Sequence, residues 1–306
     1  MTTLVLYTLP PDALTPDRTL REFDMTGPAA LVAGALDSPL VRPVYGWPAE
    51  MLEVLRQTSP DVVFNLCEAP LGRADLEAHT ASLFEWAGVR FTGCGSETLA
   101  ICRRKDITSA VLGAAGIGVP ATMDPANPRF PCVVKPAAED GSVGIHQHSL
   151  CYDEAGLRHA LEVLPMPAIV QEFVSGREFS VSLWGRREPD FVSIGETTRG
   201  PESPLITYAA KWAVEDVPED GLVARQPDEL DPLVEQAIVD AAKGAWKAVG
   251  ARHALRVDVR LDCQGKPRVL DVNPNPAISP AMGICRAVQE AGWRWEGFVN
   301  KLVEWA

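Results

Sequence analysis

From Arg256 to Asn273, two runs of alternating apolar and polar residues flank the pair Gln264-Gly265, and no other segment constrains the fold as much. A glycine there suits the positive φ of a two-residue hairpin turn, so residues whose numbers sum to 529 lie opposite each other. Asp258 then faces Asp271, Arg256 faces Asn273, and period-two alternation puts all four on one side of the ladder. Val257, Val259, Val269 and Val272 make the hairpin apolar in between. Two carboxylates directly opposed in a hairpin repel each other. A hard divalent cation removes that repulsion, and Mg²⁺ is commonly held by a carboxylate or two together with substrate phosphates. The alternative is a solvated face whose carboxylates splay into water, and a longer loop over Asp262 to Pro267 is a second possible register.

The rest of the chain reads as α/β. Over residues 1–95, strand-like runs at Leu4 to Leu9, Leu40 to Tyr45 and Val62 to Cys67 alternate with helical patterns at Pro28 to Leu36, Ala49 to Gln57 and Asp75 to Ala87. Such alternation implies a parallel layer. The last helix places Leu76, Leu83 and Phe84 on one face and closes at Gly88. Residues 96–175 read as a central α+β lobe. In it a helix capped by Ser96 runs through Lys105 to Ala115, and strands at Pro131 to Lys135, Ile145 to His148 and Ile169 to Val174 accompany a helix from Asp153 to Leu164. Residues 176–306 read as a third lobe with a hairpin of Glu178 to Trp184 and Phe191 to Glu196, then a loop of roughly 20 residues. A helix opened by Asp231 and Pro232 ends at Gly250, and short helices carrying Trp293, Trp295 and Trp305 follow the Arg256 to Asn273 hairpin.

Composition excludes several classes of function. Lysine and arginine total 28 against 41 aspartates and glutamates, a net charge of −13, which argues against nucleic-acid binding. Seven cysteines without C-x-x-C spacing imply free thiols and a reducing, cytoplasmic setting. No basic leader precedes the first strand, and no apolar run approaches the length of a membrane span.

Three further segments carry chemistry. Lys135 ends a strand and is followed by Gly141-Ser142-Val143-Gly144, which offers an ammonium and backbone N–H groups to phosphates. It is not a Walker loop, because a strand rather than a helix follows, and a plain hairpin loop is the blander reading. Glu172-Phe173-Val174 leads through Gly176 to Glu178, a connector able to read an adenine edge and ribose hydroxyls, or simply to join two lobes. Tyr208, Lys211 and Trp212 lie in the long loop, where they either seal a site and touch substrate or form an ordinary surface loop.

In this order the pieces resemble the ATP-grasp superfamily, and within it the D-alanine–D-alanine ligase-like branch, over nearly the whole chain. Asn65-Leu66-Cys67-Glu68 and Phe91-Thr92-Gly93 are similar to the branch's strand-end and Y-T-G signatures. Lys105, eleven residues before Gly116-Ile117, is similar to the lysine that precedes G-[IL]-P-x-P, and Lys135-Pro136 with Gly141 to Gly144 to the K-P…S-S-V-G loop. Gly176-Arg177-Glu178 resembles G-x-E, Ala210-Lys211-Trp212 resembles A-K-Y, and Asp258…Asp271-Val272-Asn273 resembles R-x-D…E-V-N. The resemblance implies an ATP-grasp fold in which Lys105, Lys135, Gly141 and Ser142 hold the nucleotide phosphates and Glu178 the ribose. Glu172, Phe173 and Val174 would hold the adenine, with Leu270 packed beneath it. It also implies two Mg²⁺ ions on Asp258, Asp271 and Asn273, and catalytic roles for Arg256, Lys211 and Ser142, with Arg256 stabilising a tetrahedral intermediate. The implied reaction phosphorylates a carboxylate at the expense of ATP, and an amine then displaces phosphate from the acyl phosphate. Amino acids or small peptides are the implied partners, with a homodimer through the first lobe as a further expectation.

Several positions depart from the branch. The metal-bridging glutamate is Asp271, the first serine of the loop is Gly141, and the lid tyrosine is Trp212. The serine that holds the acceptor carboxylate is Met282, and Tyr7 to Asp17 contains no match for the glutamate that binds the donor amine. The ATP half therefore reads as kept and the substrate half as changed, so D-Ala-D-Ala synthesis is not the expected reaction. Glu68 and Arg73, just after a strand end, are the candidates for a donor amine and a carboxylate, with a surface ion pair as the alternative. Tyr208, Trp212 and Met282 are the candidates for a larger acceptor pocket. A non-amine acceptor and an inactive nucleotide sensor are the competing functions. His146 and His148 read as alternating on a strand without a third ligand, and Cys67 as a structural thiol.

Overall fold

The computed structural model describes residues 1–9, 24–139, 143–164, 167–198, 205, 223–225, 227–278 and 283–306. The first sheet contains β1 (Thr3–Thr8), β2 (Leu40–Val44), β3 (Val62–Leu66) and β4 (Arg90–Phe91), all parallel, in the order β2-β1-β3-β4. Parallel neighbours need crossovers, and helices α1 (Thr26–Ala35), α2 (Pro48–Thr58) and α3 (Glu77–Trp86) supply them. Leu4, Val5 and Leu6 are wholly buried, as a strand covered on both faces requires. α3 starts two residues later than the sequence pattern indicates, because Ala74–Leu76 forms a separate 3-10 turn; it buries Thr80, Ala81 and Phe84.

The single helix expected from Ser96 to Ala115 is two, α4 (Ser96–Arg103) and α5 (Lys105–Ala114), broken where Arg104 is extended at φ −100° and ψ 99°. At the break the Lys105 N–H bonds the Ala137 carbonyl at 2.9 Å. Ser96 is the first helical residue rather than the cap, and its N–H and hydroxyl both bond the Glu85 carboxylate.

The second sheet is antiparallel, β5-β8-β6-β7, from β5 (Thr122–Met123), β6 (Cys132–Pro136), β7 (Leu150–Cys151) and β8 (Ala168–Glu172). Its outer face packs Met123, Cys132, Val134 and Val170 on Leu157 and Ala160 of α6 (Glu154–Val163), which Asp153 caps. Alternation sends Val133, Lys135 and Gln171 to the inner face. The expected strand at Ile145 to His148 is absent. His146 instead caps a 3-10 turn over Gln147–Ser149, its N–H bonding Ser149 Oγ, and pairing with β6 falls to Leu150 and Cys151.

The third sheet is antiparallel in the order β11-β10-β9-β12-β13, from β9 (Glu178–Gly185), β10 (Phe191–Thr198), β11 (Val223–Arg225), β12 (His253–Leu261) and β13 (Pro267–Asn273). α7 (Pro232–Ala248), capped by Asp231 as the sequence indicates, buries Ile238, Ala242, Ala245 and Trp246. One core joins the first and third sheets, with Leu4, Leu6 and Val63 meeting Val181, Leu183, Leu255 and Val257; α4 and α5 add Leu99, Cys102 and Leu112 to it. The second sheet keeps a smaller core of its own. Helices α8 (Gly283–Glu290) and α9 (Trp295–Trp305) close another shared core with Ala29, Val32 and Trp184. Among the described residues no helix is long and apolar enough to cross a membrane, and no disulfide joins the cysteines.

Candidate active site

The hairpin pairs Arg256 with Asn273, Val257 with Val272 and Asp258 with Asp271, the register indicated by the alternation, but reached by another route. The chain reverses over five residues, Asp262 to Lys266, whose Asp262 carboxylate accepts from the Gln264 and Lys266 N–H groups, so Leu261 pairs with Pro267. A β-bulge beside Asp258 then absorbs the difference, leaving Leu270 as the extra, half-buried residue of β13.

Each carboxylate of the opposed pair is held by a cation of the chain itself. Lys105 Nζ lies 3.0 Å from both oxygens of Asp271. Arg256 donates to both oxygens of Asp258 at 3.1 and 3.2 Å, and Ser180 Oγ adds a bond of 3.0 Å. Lys135 donates to Gln171 Oε1 at 3.4 Å, and Gln171 donates to Ser109 Oγ on α5, so the second sheet and the lysine-bearing helix are tied at this point. Burial pushes the Asp271 carboxyl up, but Lys105, then Lys135 and Arg256, outweigh it and hold it below its ordinary value. Burial, and after it Lys105, lower the Lys135 ammonium to about 8, with Asp271 pulling the other way.

If the charged lysine is the form that holds a triphosphate, the Kd for ATP rises about tenfold between pH 7 and pH 9 as Lys135 loses its proton. Titration calorimetry across that range reads the effect, and Lys135→Arg, which stays charged, is expected to flatten it.

The linker runs tightly against β12. The Gly176 N–H bonds the Leu261 carbonyl at 3.1 Å, and a Cβ at Gly176 would lie 2.2 Å from that oxygen, so no side chain fits there. The Glu172 and Phe173 N–H groups bond the Ala121 and Pro131 carbonyls, which fixes the path into Val174, and buried Glu178 opens β9.

In the first lobe, Glu68 is partly buried; burial and then the neighbouring Glu77 carboxylate raise its carboxyl to about 8. Glu77, which the sequence reading missed, accepts from the Ala69 N–H and from Asn275 Nδ2, and so reaches the residues just after Asn273. Arg73 does not join Glu68. It forms a 2.6 Å ion pair with Asp75, both side chains well exposed, which is the arrangement that the alternative of a surface ion pair describes. Thr92 Oγ1 accepts from the Asn65 N–H, and the Gly93 N–H donates to His253 Nδ1 at 2.9 Å, so the first-lobe signatures are joins between elements. Burial and then Arg252 lower His253 to about 3, which keeps it a neutral acceptor. Cys67 donates to the Leu6 carbonyl and burial pushes its thiol far up, as a structural cysteine requires. The rings of His146, His148 and His159 gather on the second lobe, a grouping that the strand expected there does not produce.

Gly141, Ser142, Tyr208, Lys211, Trp212 and Met282 lie outside the described residues. Among the described residues no group of three His, Cys, Asp or Glu side chains converges as metal ligands. The candidate donors are two carboxylates and the amide oxygen of Asn273, hard oxygens on neighbouring strands with Lys105, Lys135 and Arg256 about them. That set suits Mg²⁺ held jointly with phosphates.

A family model described as "D-ala D-ala ligase C-terminus" matches residues 123–304. The chain is 30% identical over 255 residues to the uncharacterized protein y4sG of Sinorhizobium fredii, covering 79% of this chain and 74% of that one. It is 28% identical over 294 residues to a D-alanine–D-alanine ligase of Gloeobacter violaceus, covering 90% of each. Among solved structures, a D-alanine–D-alanine ligase from Bacillus anthracis complexed with ATP superposes with a TM-score of 0.74 at 18% identity, over 99% of this chain and 96% of that one. The VanG D-Ala:D-Ser ligase from Enterococcus faecalis gives 0.74 at 18% identity, over 100% and 99%. At these identities the superpositions show the fold, which is ATP-grasp.

Proposed function

For a chain that belongs to the D-ala D-ala ligase C-terminal family, we propose ligation of an amino-acid or small-peptide carboxylate to an amine, with substrates other than paired D-alanines. The chain is an ATP-grasp ligase of the carboxylate–amine class, dependent on ATP and Mg²⁺. The observation that carries the reaction is the opposed pair Asp258 and Asp271 with Lys105, Lys135 and Arg256 gathered on it. A non-catalytic scaffold gains nothing from facing carboxylates across a ladder.

In this reading Lys135 and Lys105 bind the phosphates, Lys105 leaving Asp271 to do so, while Glu178 and the Glu172 to Val174 linker orient the nucleoside. Asp258, Asp271 and Asn273 would hold divalent ions, which would supply charge neutralisation on the transferring phosphoryl group. A donor carboxylate oxygen attacks the γ-phosphorus and ADP leaves, giving an acyl phosphate. A neutral amine then attacks the acyl carbon, Arg256 stabilises the oxyanion, and phosphate departs as the nitrogen loses its proton. Lys211 and Ser142 keep the roles implied by the resemblance, and Tyr208, Trp212 and Met282 shape the acceptor pocket. Met282 in place of a serine and the unmatched Tyr7 to Asp17 segment support substrates unlike D-alanine. Glu68, backed by Glu77, holds the donor amine, whose positive charge restores the ionised carboxylate.

Pairwise assays of an amino-acid panel test this. ADP release is expected only when both a carboxylate donor and an amine are present, with Glu68→Gln raising the donor KM by about tenfold or more. No ADP above background from any pair, with ATP still bound, would favour the nucleotide sensor instead.

A further inference from the structure

Arg260 belongs to no motif, yet it contacts three residues of the adenosine end of the site. It follows Arg256 and Asp258 at period two on β12, so alternation places all three on one side of the strand. Its Nε donates to Glu178 Oε2 at 2.6 Å, its Nη1 donates to the Val174 carbonyl at 2.9 Å, and its guanidinium carbon lies 5.5 Å from the centre of the Phe173 ring. The arginine and glutamate side chains are only 4% and 8% exposed. A guanidinium this deep is costly unless it is paired, and Nε and Nη1 donate to groups that the nucleotide reading assigns to ribose and adenine.

We propose that Arg260 is a positioning residue that sets the nucleoside half of the ATP site. It fixes the Glu178 carboxylate for the ribose and holds the Phe173 ring. By taking the Val174 carbonyl, it also withdraws one acceptor that a base would otherwise read. With the Glu172 and Phe173 N–H groups already bonded to Ala121 and Pro131, the linker offers a purine a restricted main-chain edge. The inference rests on the reading of Glu172 to Glu178 as the nucleoside site.

The test compares Arg260→Met, Arg260→Lys, Glu178→Gln and the double variant Arg260→Met/Glu178→Gln. The double variant removes both buried charges, so it provides a folded comparison if Arg260→Met alone does not fold. Binding of ATP, ADP and inorganic tripolyphosphate is measured by calorimetry, with kcat and the KM for ATP alongside. Arg260→Met and the double variant are expected to weaken ATP and ADP by about 30-fold and tripolyphosphate by less than about twofold. KM should rise in parallel, kcat at saturating ATP should hold within about threefold, and Arg260→Lys should recover part of the loss. Equal weakening of tripolyphosphate, or unchanged ATP binding in Arg260→Met while Glu178→Gln weakens it, would overturn the role of Arg260. Unchanged ATP binding in every variant would overturn the nucleoside-site reading itself, and the inference with it.

Discussion

Asp258→Asn is expected to lower ADP release by about 10³-fold or more while leaving the fold in place. The amide is isosteric, and Ser180, which donates to Oδ1 at 3.0 Å, can donate to an amide oxygen as well. The ion pair with Arg256 is lost, and with both side chains about a quarter exposed the change in stability is about 1 to 2 kcal/mol. The loss therefore falls on the chemistry. In the proposed site, one negative charge fewer faces the metal and phosphates, and Arg256 loses the Asp258 carboxylate to which it donates. A coupled ADP assay read beside a thermal melt checks this. A variant that keeps full activity with an unchanged melt would contradict the assignment of the carboxylate pair.

Lys105→Met carries the second large effect, and it has two opposite signs. Lys105 is 7% exposed and spans both oxygens of Asp271, so in the unliganded protein it competes with any cation for that carboxylate. Its removal is expected to raise the KM for ATP about 100-fold, through the lost charge-assisted contacts to phosphate. The same variant should bind Mn²⁺ alone more tightly, by about fivefold or more, because the Asp271 oxygens no longer share the Lys105 ammonium, and Oδ1 keeps the Val272 N–H. Electron paramagnetic resonance of free Mn²⁺ reads the second effect without turnover. Stability falls as well, by about 1 to 3 kcal/mol, since a partly buried carboxylate loses its partner. The pair stabilises the fold above the ordinary carboxylate range, so the variant's deficit is present at neutral pH and disappears as acid protonates Asp271. Weaker metal binding together with weaker ATP binding would show that Lys105 supports the carboxylate rather than competing for it.

The most informative sequence segment gave the right register through two departures that cancel. Gln264-Gly265 is not a two-residue turn, because Asp262 gathers the N–H groups of Gln264 and Lys266 and enlarges the loop. The bulge beside Asp258 restores the pairing at the functional end, and nothing in the alternation of Val269 and Leu270 announces it. Local pattern also missed the break at Arg104, whose cause is tertiary: the Lys105 N–H bonds the Ala137 carbonyl, 32 residues away in the turn just after β6. The strand expected at Ile145 to His148 failed for a local reason, since Ser149 and His146 satisfy each other in a tight turn. Arg260 was legible in principle, two positions beyond Asp258 on the same side of β12, but its partners come from the linker and from β9. Glu77 gave less warning still, because its proximity to Glu68 depends on how α3 follows β3. Chemistry held within one hairpin can be read from the sequence, whereas chemistry assembled from several elements appears only in the fold.

The most direct test that this chain makes an acyl phosphate and passes its acyl group to an amine follows the donor oxygen. A donor active in the panel is labelled with ¹⁸O in its carboxylate, and the released phosphate is analysed by mass spectrometry. Attack by that carboxylate on the γ-phosphorus predicts phosphate carrying one ¹⁸O atom and a product amide carrying the other. Unlabelled phosphate, with both labelled oxygens kept on the donor, would contradict the proposed reaction.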